Sequence, residues 1–280
     1  MSALLKPAVM AQQDFEFFRA RIFSLAGISL SEAKLDLLQS RLRPRLLATG
    51  LSNFREYRKF LEEIENDHDE WEIFTNLLTT NKTDWFREIE HFTYLTEEFL
   101  PRWKKLGKKH LTVWCAASST GEEPYTLSLV LEQALHGTGI TFEIQASDID
   151  TKVLNQARNG VYDVMRLSQV PDKYKNGFLV GTGDISNWMK VKKKIKAPVT
   201  FSQVNLTKIP YRWKQPYDLV MCRNVLIYFN QDTIRQVVEG FYQVGCPDSV
   251  LIIAHSESLQ NIKTSWKYIK PSIYSKGKIF

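Results

Sequence analysis

The 280-residue sequence lacks long apolar runs, has only three cysteines and has no cysteine–histidine cluster with metal-ligand spacing. No apolar stretch approaches the ~20 residues that span a bilayer, so we expect no membrane insertion. Residues 1–7 lack the basic and then apolar pattern of a signal peptide. Three cysteines without framework spacing are typical of free thiols in a reducing compartment. These features predict a cytoplasmic protein that binds no metal.

The composition is that of an ordinary globular protein, with 44% hydrophobic and 24% charged residues, but the net charge of +6 is unevenly distributed. Between Lys34 and Lys59, seven basic residues stand against two acidic ones, which leaves +5. Between Glu62 and Glu72 there are seven acidic residues and no lysine or arginine. Both runs are explained as solvated helix faces, and the basic run equally as a surface for an acidic partner.

The first 80 or so residues predict helices and no strand. Leucines recur at intervals of three and four along Leu35–Leu46, which places them on one helical face. Ser29 and Glu32 fit a capping box at the start of this helix, and Gly50 fits its end. Pro44 should kink the helix.

Three arginines share this helix with the leucines: Arg41, Arg43 and Arg45. Arg41 and Arg45 fall off the leucine stripe, so we expect them to face outward. Two more helices are predicted, at Asn53–Ile64 and Asp69–Leu78.

Strands alternate with helices from Leu111 onward, which predicts a parallel sheet covered by helices on both faces. The predicted strands are Leu111–Ala117, Phe142–Ser147, Val199–Val204, Leu219–Cys222 and Val250–Ala254. The predicted helices are Glu122–Ala134, Lys152–Arg158 and Gln231–Val244. Trp266–Ile269 and Ile273–Ser275 can supply closing strands.

A hairpin interrupts this alternation, with arms at Phe178–Asp184 and Met189–Lys196. Its lysines fit an edge strand that resists edge-to-edge pairing. They fit equally a small docking module inserted into the larger domain.

The loop of residues 117–124 follows the first strand, where open α/β sheets bind their ligands. It has one glycine and two acidic residues, Glu122 and Glu123, which would repel a phosphate and suit a cofactor with a positive centre. Glu123 fits equally a capping-box partner of Thr120.

Further polar residues follow the next strands. Asp148 and Asp150 end the second strand, where an acid can accept hydrogen bonds from ribose hydroxyls. Asp150 suits a helix cap better, which leaves Asp148 for the ligand. Arg223 and Asn224 follow the fourth strand in an apolar loop. Burying polar side chains costs free energy, which favours a functional explanation for them over a structural one. Residues 81–88 fit a ligand lid or an interdomain seam.

Six segments together resemble the CheR family of chemotaxis receptor methyltransferases, in family order and spacing from Asn81 to about Ser258. They are NKTDWFRE, VWCAASSTGEEPYTLSL, ASDIDTKVLNQARNGVY, FSQVNL, YDLVMCRNVLIYF and AHSES. RLRPRLLATGL is similar to the family's basic N-terminal helix. The resemblance covers most of the chain.

The resemblance implies an all-α N-terminal domain (1–79), a linker that contributes to the cofactor site (80–95) and a methyltransferase domain (96–280). The last is an α/β class I S-adenosylmethionine-dependent domain with a mostly parallel sheet and a small inserted antiparallel β-subdomain at about 175–197. We expect a monomer.

The resemblance also implies S-adenosylmethionine as methyl donor and S-adenosylhomocysteine as product, without a metal. The implied acceptors are glutamates on cytoplasmic helices of a chemoreceptor. Cofactor contacts fall by family position on Asn81, Thr83, Arg87, Glu123, Asp148, Asn205, Leu206, Arg223 and Asn224. Arg87 and Tyr228 fall at the transfer site, and Arg41, Arg43 and Arg45 on the receptor-recognising helix.

The chain departs from the family pattern in three places. Pro44 interrupts the presumed receptor-reading helix. Asp84, Trp85 and Phe86 stand where the family often has Ala-Phe-Phe. Gly181-Thr182-Gly183 matches members that tether to a receptor's C-terminal pentapeptide, but Val180 replaces an arginine and Asn187 a glycine, which counts against tethering.

A glutamate side chain is ionised at neutral pH, so methyl transfer to it needs no general base. This agrees with the absence of a Ser/His/Asp or Cys/His constellation. The rival interpretations are a methyltransferase of the same fold with another substrate and a non-catalytic cofactor-binding scaffold. No helix-turn-helix or zinc-finger signature supports a nucleic-acid partner.

Overall fold

A computed structural model describes residues 8–277. Residues 1–7, where the sequence predicts no signal peptide, lie outside the described range, as do residues 278–280. The chain divides into two compact units. One holds the chain up to Thr80 together with Tyr228–Asn230, and the other holds Asn81–Ile227 and the chain from Gln231 onward. None of the described helices is both long enough and apolar enough to traverse a lipid bilayer.

The first unit is helical, as predicted. Its helices are α1 (Gln12–Ala26), α2 (Leu35–Thr49), α3 (Phe54–Glu63) and α4 (Asp69–Leu78). Their buried faces carry Phe15, Phe18, Leu42, Tyr57 and Phe74.

Of the two ends predicted for α2, the C-terminal end is confirmed and the N-terminal capping box is wrong. Gly50 ends the helix in the left-handed conformation, at φ 71°. The capping box of Ser29 and Glu32 is wrong, because a short 3₁₀ turn at Glu32–Lys34 precedes α2 and no side chain caps either element. The helix continues through Pro44.

The second unit contains ten strands and seven helices among the described residues. The strands are β1 (His110–Cys115), β2 (Thr141–Asp148), β3 (Val161–Asp163), β4 (Phe178–Val180), β5 (Trp188–Val191), β6 (Val199–Gln203), β7 (Tyr217–Met221), β8 (Gly245–Ile252), β9 (Lys267–Lys270) and β10 (Ile273–Ser275). The helices are α5 (Glu90–Tyr94), α6 (Leu100–Lys104), α7 (Glu122–Ala134), α8 (Thr151–Asn159), α9 (Asp172–Lys175), α10 (Lys193–Lys196) and α11 (Gln231–Val244). A π-helical turn, Leu95–Phe99, joins α5 to α6.

Seven strands form the main sheet in the order β6-β2-β1-β7-β8-β10-β9. The first five are parallel, and β10 runs antiparallel to both of its neighbours. Strand order reverses beside β1, because β2 lies on one side of it and β7 on the other. Such a reversal opens a crevice at the carboxyl ends of the strands, where ligands bind. The predicted fold class is confirmed.

A second, antiparallel sheet has the order β3-β5-β4. It begins at Val161, earlier than the insertion expected at about 175–197. The Met189–Lys196 arm is not one strand, because β5 ends at Val191 and α10 follows. In α10 the Ile195 side chain is buried whereas Lys193 and Lys194 are exposed. The edge-strand interpretation of this arm is also wrong, because β5 lies at the centre of its sheet.

Candidate active site

The loops that follow four parallel strands meet at one edge of the main sheet. The Ser118 amide donates to the carbonyl of Ser147 at 2.9 Å, and the Ala116 amide donates to the carbonyl of Met221 at 2.8 Å. The Val204 amide donates to the Asp148 carbonyl at 3.0 Å. These bonds tie the loops after β1, β2, β6 and β7 together, so the polar residues predicted on them share one site.

Asp148 lies at the centre of this edge and is 9% exposed. Its two carboxylate oxygens accept hydrogen bonds from the backbone amides of Ser119, at 2.8 Å, and Asp150, at 3.0 Å. Burial raises the pKa of Asp148 to about 6, although these amide bonds oppose the shift. The Asp148 carboxylate is therefore an acceptor that changes charge just below neutral pH.

Asp150 caps α8, as the sequence predicts. Its Oδ1 atom accepts from the amides of Lys152, at 2.9 Å, and Val153, at 3.3 Å. Its Oδ2 atom accepts from the Asn81 side-chain amide at 2.7 Å. The capping role of Asp150 thus also fixes Asn81, the first residue of the lid-or-seam segment.

Glu123 does not cap α7. Gly121 is the N-cap residue of α7, and the helix start has no side-chain capping hydrogen bond. The Glu123 carboxylate instead accepts from Arg223 Nη1 at 2.6 Å and from the Cys115 thiol at 3.1 Å. The capping-box interpretation is wrong because the carboxylate turns towards the sheet edge, where it binds a buried cation.

Arg223 is 4% exposed and joins three segments of the site. Besides Glu123, its guanidinium donates to the Arg87 carbonyl at 2.5 Å and lies 3.2 Å from the Glu88 carboxylate. Burial alone would lower the pKa of Arg223, but Glu123 and Glu88 raise it overall. Burial likewise favours the neutral form of Glu88, yet Arg223 leaves its pKa below the ordinary value. Arg223 and Glu88 therefore each favour the charged form of the other.

Arg87 lies on the segment of residues 81–88, where its guanidinium donates to the Lys82 carbonyl at 3.1 Å. Five non-glycine residues of the described chain have positive φ, and four flank the site: Phe86, Glu88, Ser119 and Asn224. Such conformations are costly, and they concentrate at functional sites that the surrounding structure holds in place. The backbone conformation therefore marks the same edge as the side chains do.

Glu257 orders the loop after β7, a role that no local pattern predicted. Its carboxylate accepts from the amides of Leu226 and Ala254, both at 2.8 Å. Burial raises the pKa of Glu257, against the lowering effect of these amides. The available signal in the sequence was the place of Glu257 in the AHSES segment of the family resemblance.

Asn205 and Leu206 follow β6 at the same edge. The Asn205 side-chain oxygen accepts from the Thr207 amide at 3.0 Å and its hydroxyl at 2.8 Å. The carbonyl of Leu206, which is 6% exposed, accepts from the Tyr211 hydroxyl at 2.7 Å. These bonds hold the loop beside Asp148.

Thr83 and Asp84 are held by the 3₁₀ helix Val164–Gln169. The Thr83 carbonyl accepts from Arg166 at 2.7 Å. The Asp84 carboxylate accepts from the Gln169 side chain at 3.1 Å and lies 3.7 Å from Arg166. Asp84, a departure from the family pattern, therefore anchors its segment.

Glu88, His91 and His255 could hold a metal ion by distance alone, because one ligand atom from each lies within 4.8 Å of the others. Arg223 opposes this, since its cation already pairs with the Glu88 carboxylate. Burial, Arg223 and His255 lower the pKa of His91 to about 3, which leaves its imidazole neutral at physiological pH.

The three arginines of α2 differ in how they are held. Arg41 donates to the carbonyls of Leu78 and Thr79, at 2.6 and 2.7 Å. Arg45 forms a bidentate pair with the buried Glu70, at 2.7 and 2.5 Å. Within the described part of the chain, the one hydrogen bond of Arg43 is a 3.4 Å contact with the Ala8 carbonyl. The expectation that Arg41 and Arg45 face outward is wrong, because both complete polar networks of the helical unit.

Tyr228 ends the 3₁₀ turn Leu226–Tyr228 and belongs to the helical unit, where its carbonyl accepts from the Ser29 amide at 2.8 Å. Its role at the transfer site, like the roles assigned to the other site residues, stays a prediction.

A parallel sheet with reversed strand order, and with acidic residues at the carboxyl ends of β1 and β2, defines a domain that binds a nucleoside cofactor. Two family models match the chain: "CheR methyltransferase, all-alpha domain" over residues 13–79 and "CheR methyltransferase, SAM binding domain" over residues 81–274.

Similar proteins span nearly the whole chain. The chemotaxis protein methyltransferase of Salmonella typhimurium is 37% identical over 272 residues, which is 96% of this chain and 92% of the relative. Chemotaxis protein methyltransferase 2 of Pseudomonas aeruginosa is 36% identical, over 94% of this chain and 93% of the relative. The chemotaxis protein methyltransferase of Escherichia coli K12 is 35% identical, over 96% of this chain and 93% of the relative. The chain belongs to the CheR methyltransferase family, as the motifs predicted, and its larger domain binds S-adenosylmethionine.

Proposed function

We propose that the protein forms methyl esters on glutamate side chains of a chemoreceptor, with S-adenosylmethionine as donor. The observation that carries the proposal is the match of both family domains to a chain whose motif residues meet at one sheet edge. The names of the relatives support chemotaxis as the process. A cytoplasmic location follows from the proposal, because cytoplasmic receptor helices would carry the acceptors.

The residues of the site fit the donor. Asp148 and Glu123 are acceptors suited to the donor's hydroxyl and amino groups, and the loop of small residues after β1 admits its bulk. When bound, the donor supplies an electrophilic methyl group on a sulfonium. We assign Asn81, Thr83, Asn205, Leu206, Arg223 and Asn224 to the walls of this cleft.

The chain's own task is alignment and removal of water, because the acceptor carboxylate is already ionised. Positioning of two reactants contributes much of an enzyme's rate when bond angles and distances are set in advance. We assign orientation of the acceptor carboxylate to Arg87 and a hydrogen bond near the reacting atoms to Tyr228. Arg87 suits this task because, as far as residues 8–277 are concerned, a single 3.1 Å bond to a backbone carbonyl holds its guanidinium.

The β-subdomain supports a second contact with a receptor. Leu179, Val180, Ile185 and Trp188 are each at least 51% exposed and line an apolar groove on the three-stranded sheet. Val180 presents an apolar side chain where tethering members carry an arginine, so a charge-assisted bond to a receptor tail is lost here. We therefore propose recognition of the receptor body without pentapeptide tethering.

A transfer experiment tests the proposed function. Purified protein is incubated with tritiated S-adenosylmethionine and membranes that contain or lack chemoreceptors. We expect label in the receptor only, and its release as volatile methanol in base. Arg87→Ala should reduce turnover by about 100-fold, a loss typical of misplaced reactants. Arg102→Ala is the matched control, since the Arg102 side chain is 40% exposed and lies on α6. Donor binding without label in any receptor would support the scaffold interpretation instead.

A further inference from the structure

Arg166 makes contacts that the cofactor assignments leave unexplained. It lies on the 3₁₀ helix Val164–Gln169, outside every segment that carries the family resemblance. One end of its guanidinium donates to the Thr83 carbonyl at 2.7 Å. The other end pairs with the carboxylate of Glu122. A single side chain thus bonds both to the segment of residues 81–88 and to the first turn of α7.

The pair with Glu122 is buried on the carboxylate side. The Glu122 side chain is 0% exposed, and that of Arg166 is 28% exposed. Burial raises the pKa of Glu122, and Thr120 and Arg166 oppose the shift. The Thr120 hydroxyl donates to the second carboxylate oxygen at 2.6 Å. Separating Arg166 from Glu122 would leave a buried carboxylate without a cation, which is strongly destabilising. The pair therefore fixes the position of the Arg166 guanidinium.

The two acceptors of Arg166 lie on two different segments of the site. Glu122 immediately precedes Glu123 in the first turn of α7, the helix that follows β1. Thr83 lies two residues after Asn81, whose carbonyl accepts from the Ser119 hydroxyl at 2.9 Å. The segment of residues 81–88 is therefore joined to the segment after β1 at Asn81 and, through Arg166, again at Thr83. A planar guanidinium holds two acceptors at a fixed separation, which a flexible ammonium does not.

We propose that Arg166 is a positioning residue that sets the width of the S-adenosylmethionine cleft by bridging Thr83 and Glu122. The inference rests on the proposed cofactor contacts of Thr83 and Glu123. It assigns to Arg166 an effect on cofactor affinity without any contact with the reacting atoms.

The first test is Arg166→Lys, which keeps the positive charge beside Glu122 but cannot bridge both acceptors. Calorimetric titration with S-adenosylhomocysteine, well below the unfolding transition, should show affinity weakened about tenfold, the effect of one lost hydrogen-bonded bridge. In methyl transfer, KM for S-adenosylmethionine should rise by a similar factor while kcat changes by less than about twofold. Arg235→Lys is the matched control, because Arg235 forms an exposed 3.0 Å pair with Asp232 on α11.

A second variant, Glu122→Gln with Arg166→Gln, removes both charges together and leaves no carboxylate stranded. It should also bind S-adenosylhomocysteine about tenfold more weakly than wild type. A lowered thermal midpoint with unchanged affinity in both variants would show a merely structural role and overturn the proposal. If wild type itself bound no S-adenosylhomocysteine, the cofactor assignment and this inference would fall together; failure in the variants alone overturns only the inference.

Discussion

At the scale of residues, the carboxylates of the sheet edge differ in what holds them. Asp148 is held by backbone amides, whereas Glu123 and Glu88 share the Arg223 cation. Burial raises the pKa of Asp148 to about 6, whereas Arg223 keeps the pKa of Glu88 below its ordinary value. The site therefore contains a carboxylate that titrates near neutral pH, Asp148, beside one that is held in its ionised form by a cation, Glu88.

The proposed contact of Asp148 with the cofactor predicts that cofactor affinity depends on pH. Its pKa of about 6 means that the carboxylate is ionised at pH 7 and protonated at pH 5. Hydroxyl donors of a bound ligand favour the ionised form, so we expect S-adenosylhomocysteine to bind about tenfold more weakly at pH 5 than at pH 7. Calorimetric titration across this range measures the change.

The folding contribution of Asp148 has the opposite sign. Because its folded pKa is raised, the stability it contributes is present at low pH and is lost as pH rises through about 6.

Asp148→Asn should abolish the pH dependence of cofactor binding, and Asp184→Asn, on an exposed turn, should retain it. A wild-type affinity that stays constant from pH 7 to pH 5 contradicts the assignment.

Residue-level prediction from sequence succeeded where a pattern is local. Asp150 as the cap of α8 and Asp148 as the remaining acid follow from spacing alone. The pairs Glu123–Arg223 and Glu122–Arg166 join residues 100 and 44 positions apart, and no periodicity encodes them. Glu123 was therefore open to a capping interpretation that only the three-dimensional contacts exclude.

At the scale of elements, the turn from β1 into α7 depends on a glycine. Gly121 has φ +99°, and a Cβ atom there would lie 2.9 Å from both the Ala157 Cβ atom and the Tyr162 hydroxyl oxygen. Gly121→Ala should lower the free energy of unfolding by about 2–4 kcal/mol, from overpacking and from left-handed strain. Urea denaturation measures the loss.

Gly137 offers a matched control for that substitution. It has φ +72°, but a Cβ atom would meet nothing within 4 Å. Gly137→Ala should therefore cost only about 1–2 kcal/mol, from backbone strain alone. Equal losses in the two variants would show that close packing at Gly121 contributes nothing.

The basic helix α2 gives a prediction that separates recognition from stability. Arg43→Ala should raise KM for the receptor several-fold and leave thermal stability and cofactor affinity unchanged, because among residues 8–277 a single 3.4 Å contact, with the Ala8 carbonyl, holds Arg43. Arg45→Ala should lower the thermal midpoint, because it strands the buried Glu70, a loss of about 3–5 kcal/mol. Receptor methylation kinetics and thermal melts measure the two effects. An Arg43→Ala variant with unchanged KM would exclude this residue from receptor recognition.

Long periodic elements were predictable and short ones were not. The helices α4, α7 and α11 have the bounds that hydrophobic periodicity predicted. The strand β3 has three residues, too few for a period-two pattern, and its pairing with β5 joins distant parts of the chain. The lysine run after β5 alternates with apolar residues only in part. It forms the short helix α10, in which the Ile195 side chain is buried.

At the scale of the whole molecule, two of the seven basic residues between Lys34 and Lys59 pair with acidic residues of the helical unit. Arg45 pairs with Glu70, and Arg58 lies 3.0 Å from Asp14 and 3.9 Å from Glu62. The basic excess in the sequence therefore overstates the charge available to a partner. Overall charge could not reveal this, because pairing depends on the fold and not on composition.

The account depends on a nucleoside sulfonium donor that binds at the carboxyl edge of the main sheet. Equilibrium titration of the purified wild-type protein with S-adenosylhomocysteine tests this most directly. We predict saturable binding of one molecule per chain, with a thermal midpoint that rises with ligand concentration as mass action requires. A flat titration and a midpoint that is insensitive to the ligand would contradict the account.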